Sequence, residues 1–309
     1  MFNIVEKRHW YFLISALIII PGLIAMIYSF AVFGTPMRLG IDFTGGTMLE
    51  LRFQQPVSSD TVRDVLAANG FPDPILQTTS DPNTIVLRTK EMGTAEKQQV
   101  EAGLAAALGP VDTLRYETVG PTVGAEVTKA ASIAILAAAV LIIAYIVFSF
   151  RKVPNAFRYG VCAVIAMLHD ILVTVGLFSL ATLILGWEAD ALFLTAVLTV
   201  VGFSVQDTIV VFDRIRENIP KRRGESFETV VNRSLLETLH RSLATQLNAI
   251  FVLIAILLFG GATMTQFVAV LLVGMLSGTY SSIFNAVPLL VVWETGKIIG
   301  GAREAKATA

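Results

Sequence analysis

Charge is what this chain has least of. Of its 309 residues only 15% are Asp, Glu, Lys or Arg, while 54% are hydrophobic and the mean hydropathy is +0.70. A soluble protein of this size rarely reaches that balance, so an ordinary soluble domain is excluded and a polytopic membrane protein is indicated. Cysteine is almost missing. The lone Cys162 lies inside an apolar run, which rules out an internal disulfide and leaves packing as its reading. Histidine is scarce too, and residues 34–128, the longest stretch that is not apolar, contain neither histidine nor cysteine. A cleavable signal is not evident: the apolar run Tyr11–Phe33 is too long for a signal core and lacks a small-residue cleavage site, so it is expected to remain as an anchor. The net charge of −1 says nothing about partners, because in a membrane protein the distribution of charge matters more than its sum.

What is present is six apolar segments, over approximately 11–33, 129–150, 157–184, 190–212, 242–261 and 266–293. Each is near or above the ~20 residues needed to span a bilayer. Basic residues mark alternate ends of them. Lys7 and Arg8 precede the first span, and Arg151, Lys152 and Arg158 fill the loop between the second and third. Arg214, Arg216, Lys221, Arg222 and Arg223 follow the fourth, and Lys297, Arg303 and Lys306 follow the sixth. The other short loops carry Glu188 and Asp190, or no charge around Gly260–Gly261. The positive-inside rule therefore predicts that both termini and the 213–241 segment are cytoplasmic. The expected organisation is a first span within 1–33, an extracytoplasmic domain over 34–128, five further spans over 129–294 and a cytoplasmic tail over 295–309. The Lys221–Arg223 run is read as a topology anchor near anionic headgroups rather than a nucleic-acid site. Ser226 is expected to cap an interfacial helix, with Phe227, Val230, Val231, Leu235 and Leu239 on one face, that turns into the fifth span.

The outer segment has a mixed pattern. MLELRF (48–53) alternates as a strand, Ser58 is placed to cap a helix over 59–69, and ILQTT (75–79) and TIVLRT (84–89) read as strands around the turn residues Ser80–Asn83. A second helix over 94–108 ends at Gly109–Pro110, and a last strand covers 111–119. The order β-α-β-β-α-β suggests a small ferredoxin-like α+β domain, a binding or coupling module rather than an enzyme. Ahead of it, RLGIDFTGGT (38–47) reads as a short strand tying the domain to the membrane, with Gly45 and Gly46 making a tight turn at positive φ. A phosphate-binding reading fails there for want of a P-loop lysine.

Against this apolar background the polar residues inside the spans are informative. Asp207, preceded by Gln206, interrupts the fourth span, and an aspartate at the bilayer centre costs about 2.5–3.5 kcal/mol on insertion scales. Ser204, Asp207 and Thr208 fall on one helix face, with Gly202 nearby. A carboxylate so placed can bind and release a proton as its surroundings switch between wet and dry; the alternative is a structural acid satisfied by hydroxyls or a cation. In the third span His169 and Asp170 lie near the midplane, with Thr174 one turn on. A metal site is set aside there, because adjacent residues point about 100° apart on a helix and no other ligands are in register, which leaves a packing or hydrogen-bonding role and a proton relay as the readings. The fifth span opens with Ser234, Glu237, Arg241, Thr245 and Asn248 at helical spacing. Arg241 is placed to meet or alternate with Asp207, to snorkel to the headgroups, or to pair with Glu237 four residues earlier. The sixth span aligns Gly274, Gly278, Ser281 and Asn285 on a face suited to close packing or partner docking, and Pro288 is expected to kink it.

These stretches carry a resemblance. GIDFTGG (40–46), LHDILVTVGLF (168–178), VGFSVQDTIVVFDRIREN (201–218), TLHRSLAT (238–245) and GMLSGTYSSIF (274–284) resemble the SecD/SecF family of protein-export membrane proteins over nearly the whole chain. The resemblance implies a six-helix bundle similar to half of an RND-type transporter. It also implies a SecD-like partner, work beside the SecYEG channel on unfolded preprotein, and use of the proton gradient at the bacterial inner membrane, with no enzymatic reaction and no cofactor. It places Asp207 at the family's proton-carrying acid, Arg241 at its matching arginine and Asp170 at a further motif position, and Asp170 is grouped with these two for proton transfer on its own place in the third span. Gln206, Asp213, Arg214, Thr245, Gly45 and Gly46 become supporting motif residues. The chain departs from the usual pattern at Gln206 and Phe203, and again at Gln246 and Asn248, where small hydroxyls are common. A self-contained RND-like exporter of lipids or small molecules, and a purely structural assembly factor, remain the alternatives.

Overall fold

The computed structural model describes residues 3–78, 81–151 and 155–298, so that Ser80, Lys152, Arg303 and Lys306 lie outside the described residues. The chain divides into two compact units, Leu39–Ile133 and the remainder, Met1–Arg38 with Ala134–Ala309.

In the smaller unit the β-α-β-β-α-β order of the sequence is present as β1 (Gly46–Phe53), α3 (Ser59–Ala68), β2 (Ile75–Thr78), β3 (Thr84–Thr89), α4 (Thr94–Leu108) and β4 (Val111–Val119). The strands form one antiparallel sheet in the order β2-β3-β1-β4. Alternation does the sorting: Leu49, Leu51 and Phe53 of β1 and Ile85 and Leu87 of β3 face a core completed by Val62 and Leu66 of α3 and Val100 and Leu104 of α4. Ser58 caps α3 by accepting the Asp60 N–H. At the β2–β3 turn the Asp81 carboxylate accepts the Asn83 N–H at 3.0 Å and the Thr84 hydroxyl at 2.8 Å, which together hold its carboxyl below the usual range.

The segment ahead of β1 differs from expectation. Instead of a strand, Ile41–Thr44 forms a single helical turn, α2. Flanking glycines allow it, and the Gly40 carbonyl accepts the Phe43 and Thr44 N–H groups and the Thr44 hydroxyl, which closes the turn locally. The Gly pair does adopt positive φ, 73° at Gly45 and 112° at Gly46. Space is a second reason for glycine: a Cβ at Gly46 would stand 2.6 Å from the Thr89 carbonyl oxygen, and one at Gly45 would stand 2.7 Å from the Pro121 Cα. Gly46→Ala therefore meets both a strained dihedral and a backbone clash, and is expected to cost about 1–3 kcal/mol. Limited proteolysis should then cut within 39–133 at lower denaturant concentration than in wild type.

The larger unit is a bundle of α1 (Arg8–Phe33), the membrane part of α5 (Pro121–Ser149), α6 (Ala156–Leu185), α7 (Ala191–Lys221), α8 (Phe227–Phe259), α9 (Ala262–Ser281) and α10 (Val287–Thr295). With α9 and α10 joined through a π-helical turn at Ser282–Ala286, six segments among the described residues are long and apolar enough to cross a membrane. The π turn sits immediately before Pro288, which has no N–H to offer the preceding turn, so the expected kink takes the form of a widened turn.

Two spans are longer than hydropathy indicates. α7 continues through 213–221, and α8 is one 33-residue helix from its Ser226 cap rather than an interfacial helix that turns. No Gly or Pro lies between Phe227 and Phe259, so nothing in the sequence breaks it. At 1.5 Å per residue it is about 50 Å long, and its polar first turns project beyond a ~30 Å hydrocarbon layer. The small-residue face of α9 also has a different use from docking: a Cβ at Gly274 would stand 2.1 Å from Val200 Cγ2, and one at Gly278 3.4 Å from Ser204, so this face is spent on α7. On the other side of the bundle, α1 and α6 meet backbone to backbone where Gly22 faces Gly176. Arg8, read from the sequence as a flanking charge, is fully buried. Its guanidinium donates to the Lys297 carbonyl at 2.7 and 3.0 Å and to the Val5 carbonyl, and pairs with Glu228 at 3.1 Å.

Candidate functional site: two buried carboxylates

Helices α6, α7 and α9 pack closely enough, through Ala163, Ala166 and the glycines of α9, to bury two acids. Asp170 of α6 is completely buried and Asp207 of α7 is 5% exposed. Buried carboxylates require hydrogen-bond donors, and here serines supply nearly all of them.

Asp207 accepts one bond on each oxygen. Ser242 of α8 donates to Oδ1, and Ser282, the first residue of the π turn, donates to Oδ2 at 2.5 Å. Asp170 is more heavily engaged: Oδ1 accepts from Ser277 at 2.6 Å and from His169 Nδ1 at 3.0 Å, and Oδ2 accepts from Ser204 and Ser281, each at 2.6 Å. The shared face expected for Ser204, Asp207 and Thr208 is thus divided. Ser204 serves the other acid, and Thr208 bonds back to the Ser204 carbonyl. Gly202 faces open space, and Thr174, one turn from Asp170, is buried without a hydrogen bond.

Asp207 and Arg241 line one cavity of ≈ 190 Å³ together with Phe203, Gln206, Ser242, Thr245, Gln246 and Met275. Among the described residues they form no ion pair. Neither does Arg241 pair with Glu237, which is taken by Arg214 at 2.6 Å, by Arg222 at 3.7 Å and by Asn218 at 2.9 Å. Arg241 also borders a second cavity of ≈ 660 Å³, with Asp213, Arg214, Arg216, Glu217 and Glu237 on its walls. Asp213 pairs there with Arg216 at 2.6 Å, and Arg214 bridges Glu217 and Glu237. Arg241 is therefore an exposed cation between two cavities, one reaching the buried acid and the other lined by paired charges. Thr245 directs its hydroxyl to the Arg241 carbonyl. Gly45 and Gly46 belong to the smaller unit and shape the start of its sheet.

This arrangement can now be set beside known proteins. Residues 99–296 match the family model described as "Protein export membrane protein SecD/SecF, C-terminal", and residues 30–57 match "SecD/SecF GG Motif". The chain belongs to the SecD/SecF family. Within the family it is 48% identical over 305 residues to the protein translocase subunit SecF of Thermobaculum terrenum, covering 95% of this chain and 94% of that one. It is 47% identical over 301 residues to the SecF of Anaerolinea thermophila, covering 96% of each. Among solved structures it is similar to SecDF, a translocon-associated membrane protein from Thermus thermophilus, with a TM-score of 0.78 and 32% identity over 95% of this chain. The chain spans 38% of the length of that SecDF. A "Super-membrane-facing form" of SecDF superposes with a TM-score of 0.65. The SecD/SecF motifs quoted from the sequence contain both acids, Arg241 and the serine donors.

The sequence reading singled out the acids but not Ser242, Ser277 and Ser282, and it took Ser281 for a packing residue. The available signal was position: Ser242 follows Arg241 directly, and Ser281–Ser282 is a hydroxyl pair within an apolar span.

Proposed function

We propose that this chain acts as a SecF-type subunit of the protein translocase, coupling the proton motive force, together with a SecD-type partner, to preprotein export through the SecYEG channel. It would sit in the bacterial inner membrane with both termini and the 213–241 segment cytoplasmic, and would catalyse no reaction of its own. The observation that carries this reading is the single cavity shared by a buried carboxyl, Asp207, and an arginine without an ion pair among the described residues, Arg241.

Two states follow from elementary electrostatics. With the guanidinium within about 4–6 Å, the carboxylate is favoured and the proton leaves; with the cation withdrawn and the site dry, the protonated carboxyl is favoured. In the structure the two are not ion-paired, and Ser242 and Ser282 are Asp207's hydrogen-bond partners. Each proton carries about 2.3 kcal/mol per 100 mV of membrane potential, available to bias one arrangement of the bundle over the other. Several spans leave broad apolar surface uncovered, α5 most of all with Leu136, Val140, Leu141, Tyr145 and Phe148 exposed, a face equally suited to lipid and to a second membrane chain.

The test is preprotein export in vesicles with an imposed proton gradient. The gradient should raise export by the wild-type chain, whereas Arg241→Met, which keeps the length of the side chain but not its charge, should lose most of the stimulation while assembling normally. Undiminished stimulation in Arg241→Met would remove the arginine from the cycle.

A further inference from the structure

Arg241 has more than one carboxylate within its surroundings. It borders both cavities, and each presents acids: Asp207 in the smaller, and Asp213, Glu217 and Glu237 in the larger. Glu237 is the best placed of these by sequence. It lies one turn before Arg241 on α8, the order in which an acid and a base at i, i+4 attract most strongly. Among the described residues, however, Arg241 pairs with none of them.

The reason lies at the end of α7. Arg214, Asn218 and Arg222 recur there every four residues, so one face carries three donors in a column. All three reach Glu237. Arg214 Nε donates to Oε2 at 2.6 Å and Asn218 Nδ2 to the same oxygen at 2.9 Å, while Arg222 stands 3.7 Å from Oε1. Arg214 also pairs with Glu217 at 2.8 Å, and Arg216 takes Asp213 at 2.6 Å. Every acid on the wall of the larger cavity therefore has a cation other than Arg241. Asp207 differs, because its partners are the uncharged hydroxyls of Ser242 and Ser282. Of the acids bordering either cavity, it alone has no ion pair among the described residues.

We infer that Arg214 is a positioning residue for the coupling pair: by occupying Glu237 and Glu217 it reserves Arg241 for Asp207. This rests on the reading of Asp207 and Arg241 as the groups that couple the gradient. It also gives Arg214 a defined part where the family resemblance makes it only a supporting motif residue. Arg214 acts by holding a competitor, not by touching the buried carboxyl. The size of the effect follows from the competitor it restrains. An i, i+4 ion pair on a helix surface contributes up to about 0.5 kcal/mol, which corresponds to about a two-fold ratio. Glu237, once released, should hold Arg241 for a substantial share of the time.

Two measurements on the chain with its SecD-type partner test this. The first is gradient-stimulated export in vesicles at matched abundance. Arg214→Gln should lower the stimulation about two-fold, and the double variant Arg214→Gln with Glu237→Gln should restore it. A merely structural Arg214 predicts no such rescue, since the double variant lacks both members of the α7–α8 ion pair. The second is solid-state NMR in lipid, with isotope labels in arginine guanidinium groups and glutamate carboxyls. Arg214→Gln should gain a guanidinium–carboxylate contact that the wild type lacks and that vanishes on adding either Arg241→Met or Glu237→Gln. Absence of that contact, or a double variant exporting no better than Arg214→Gln, would overturn the inference. The NMR contact is read without any gradient. If Asp207→Asn leaves the stimulation intact, the coupling reading fails, and the contact still decides whether Arg214 keeps Glu237 from Arg241.

Discussion

Asp207→Asn should abolish the gradient-stimulated part of export while leaving the fold and the assembly intact. Asparagine has nearly the shape of aspartic acid and can accept the Ser242 or Ser282 hydroxyl through its carbonyl oxygen. What it lacks is a second charge state. A cycle driven by proton movement needs a group that is alternately charged and neutral, and a side chain fixed as neutral responds to neither the proton nor the approach of Arg241. Gradient-independent export should continue at the rate seen without the gradient. The measurement is export in vesicles of matched chain abundance with and without an imposed gradient. Equal stimulation in wild type and Asp207→Asn would make Asp207 a structural acid and end the proton-coupling account. Ser282→Ala is the graded counterpart: it removes one of two donors and should weaken the stimulation without eliminating it.

The largest effect on stability is expected at the α1–α6 crossing. A Cβ built on Gly176 would stand 2.8 Å from the Gly22 Cα, and one built on Gly22 stands equally close to the Gly176 Cα. The obstacle in each case is main chain, which cannot rotate away as a side chain can. Nearby, Ser29 and Ser179 bond to one another at 3.0 Å and Ser179 donates to the Pro36 carbonyl at 2.7 Å, so separating the helices at the glycines strains these bonds as well. Gly176→Leu must force the helices apart and should cost at least the ~1–3 kcal/mol typical of overpacking, appearing as a lower unfolding midpoint in detergent and lower abundance in the membrane. Gly202→Ala supplies the contrast, since nothing lies within 4 Å of its added methyl. A Gly176→Leu chain as stable as the Gly202→Ala chain would show that the crossing contributes little.

The contrast between acids and serines shows how far the sequence could be read. Six spans were legible because hydropathy is a sum over some twenty residues and tolerates local error. Asp207 and Asp170 stood out because a charge in an apolar run has no cheap explanation. Serines do have one. Ser234 bonds to the Val230 carbonyl and Thr245 to the Arg241 carbonyl, each satisfying itself on its own helix four residues back. The hydroxyls of Ser242 and Ser282 instead cross to another helix, and position beside Arg241 or in a hydroxyl pair marks them only weakly, because the difference is made by which helix lies opposite. The same holds for the Gly274–Gly278 face, recognisable as a close-packing surface without any indication of its neighbour. The continuity of α8 was hidden for another reason: a fall in hydropathy at Phe227–Arg241 marks where the apolar layer ends, not where the helix does. In the smaller unit short-range rules sufficed, since caps, turns and alternation are set by neighbours in the chain. They failed only at Ile41–Thr44, where apolar alternation looked like a strand and the flanking glycines allowed a turn of helix.

Arg8 adds a constraint on the order of events during synthesis. Its guanidinium is closed by the carbonyl of Lys297, 289 residues later in the chain, and by Glu228. A nascent chain therefore carries Arg8 for nearly the whole of its elongation without the groups that permit its burial, and a lone guanidinium does not enter a dry interior. Until the sixth span arrives, that charge lacks the carbonyl that closes it in the finished bundle. Completion of the chain then draws it inward. Burial of this one residue thus waits on the far end of the bundle and ties its first helix to its last.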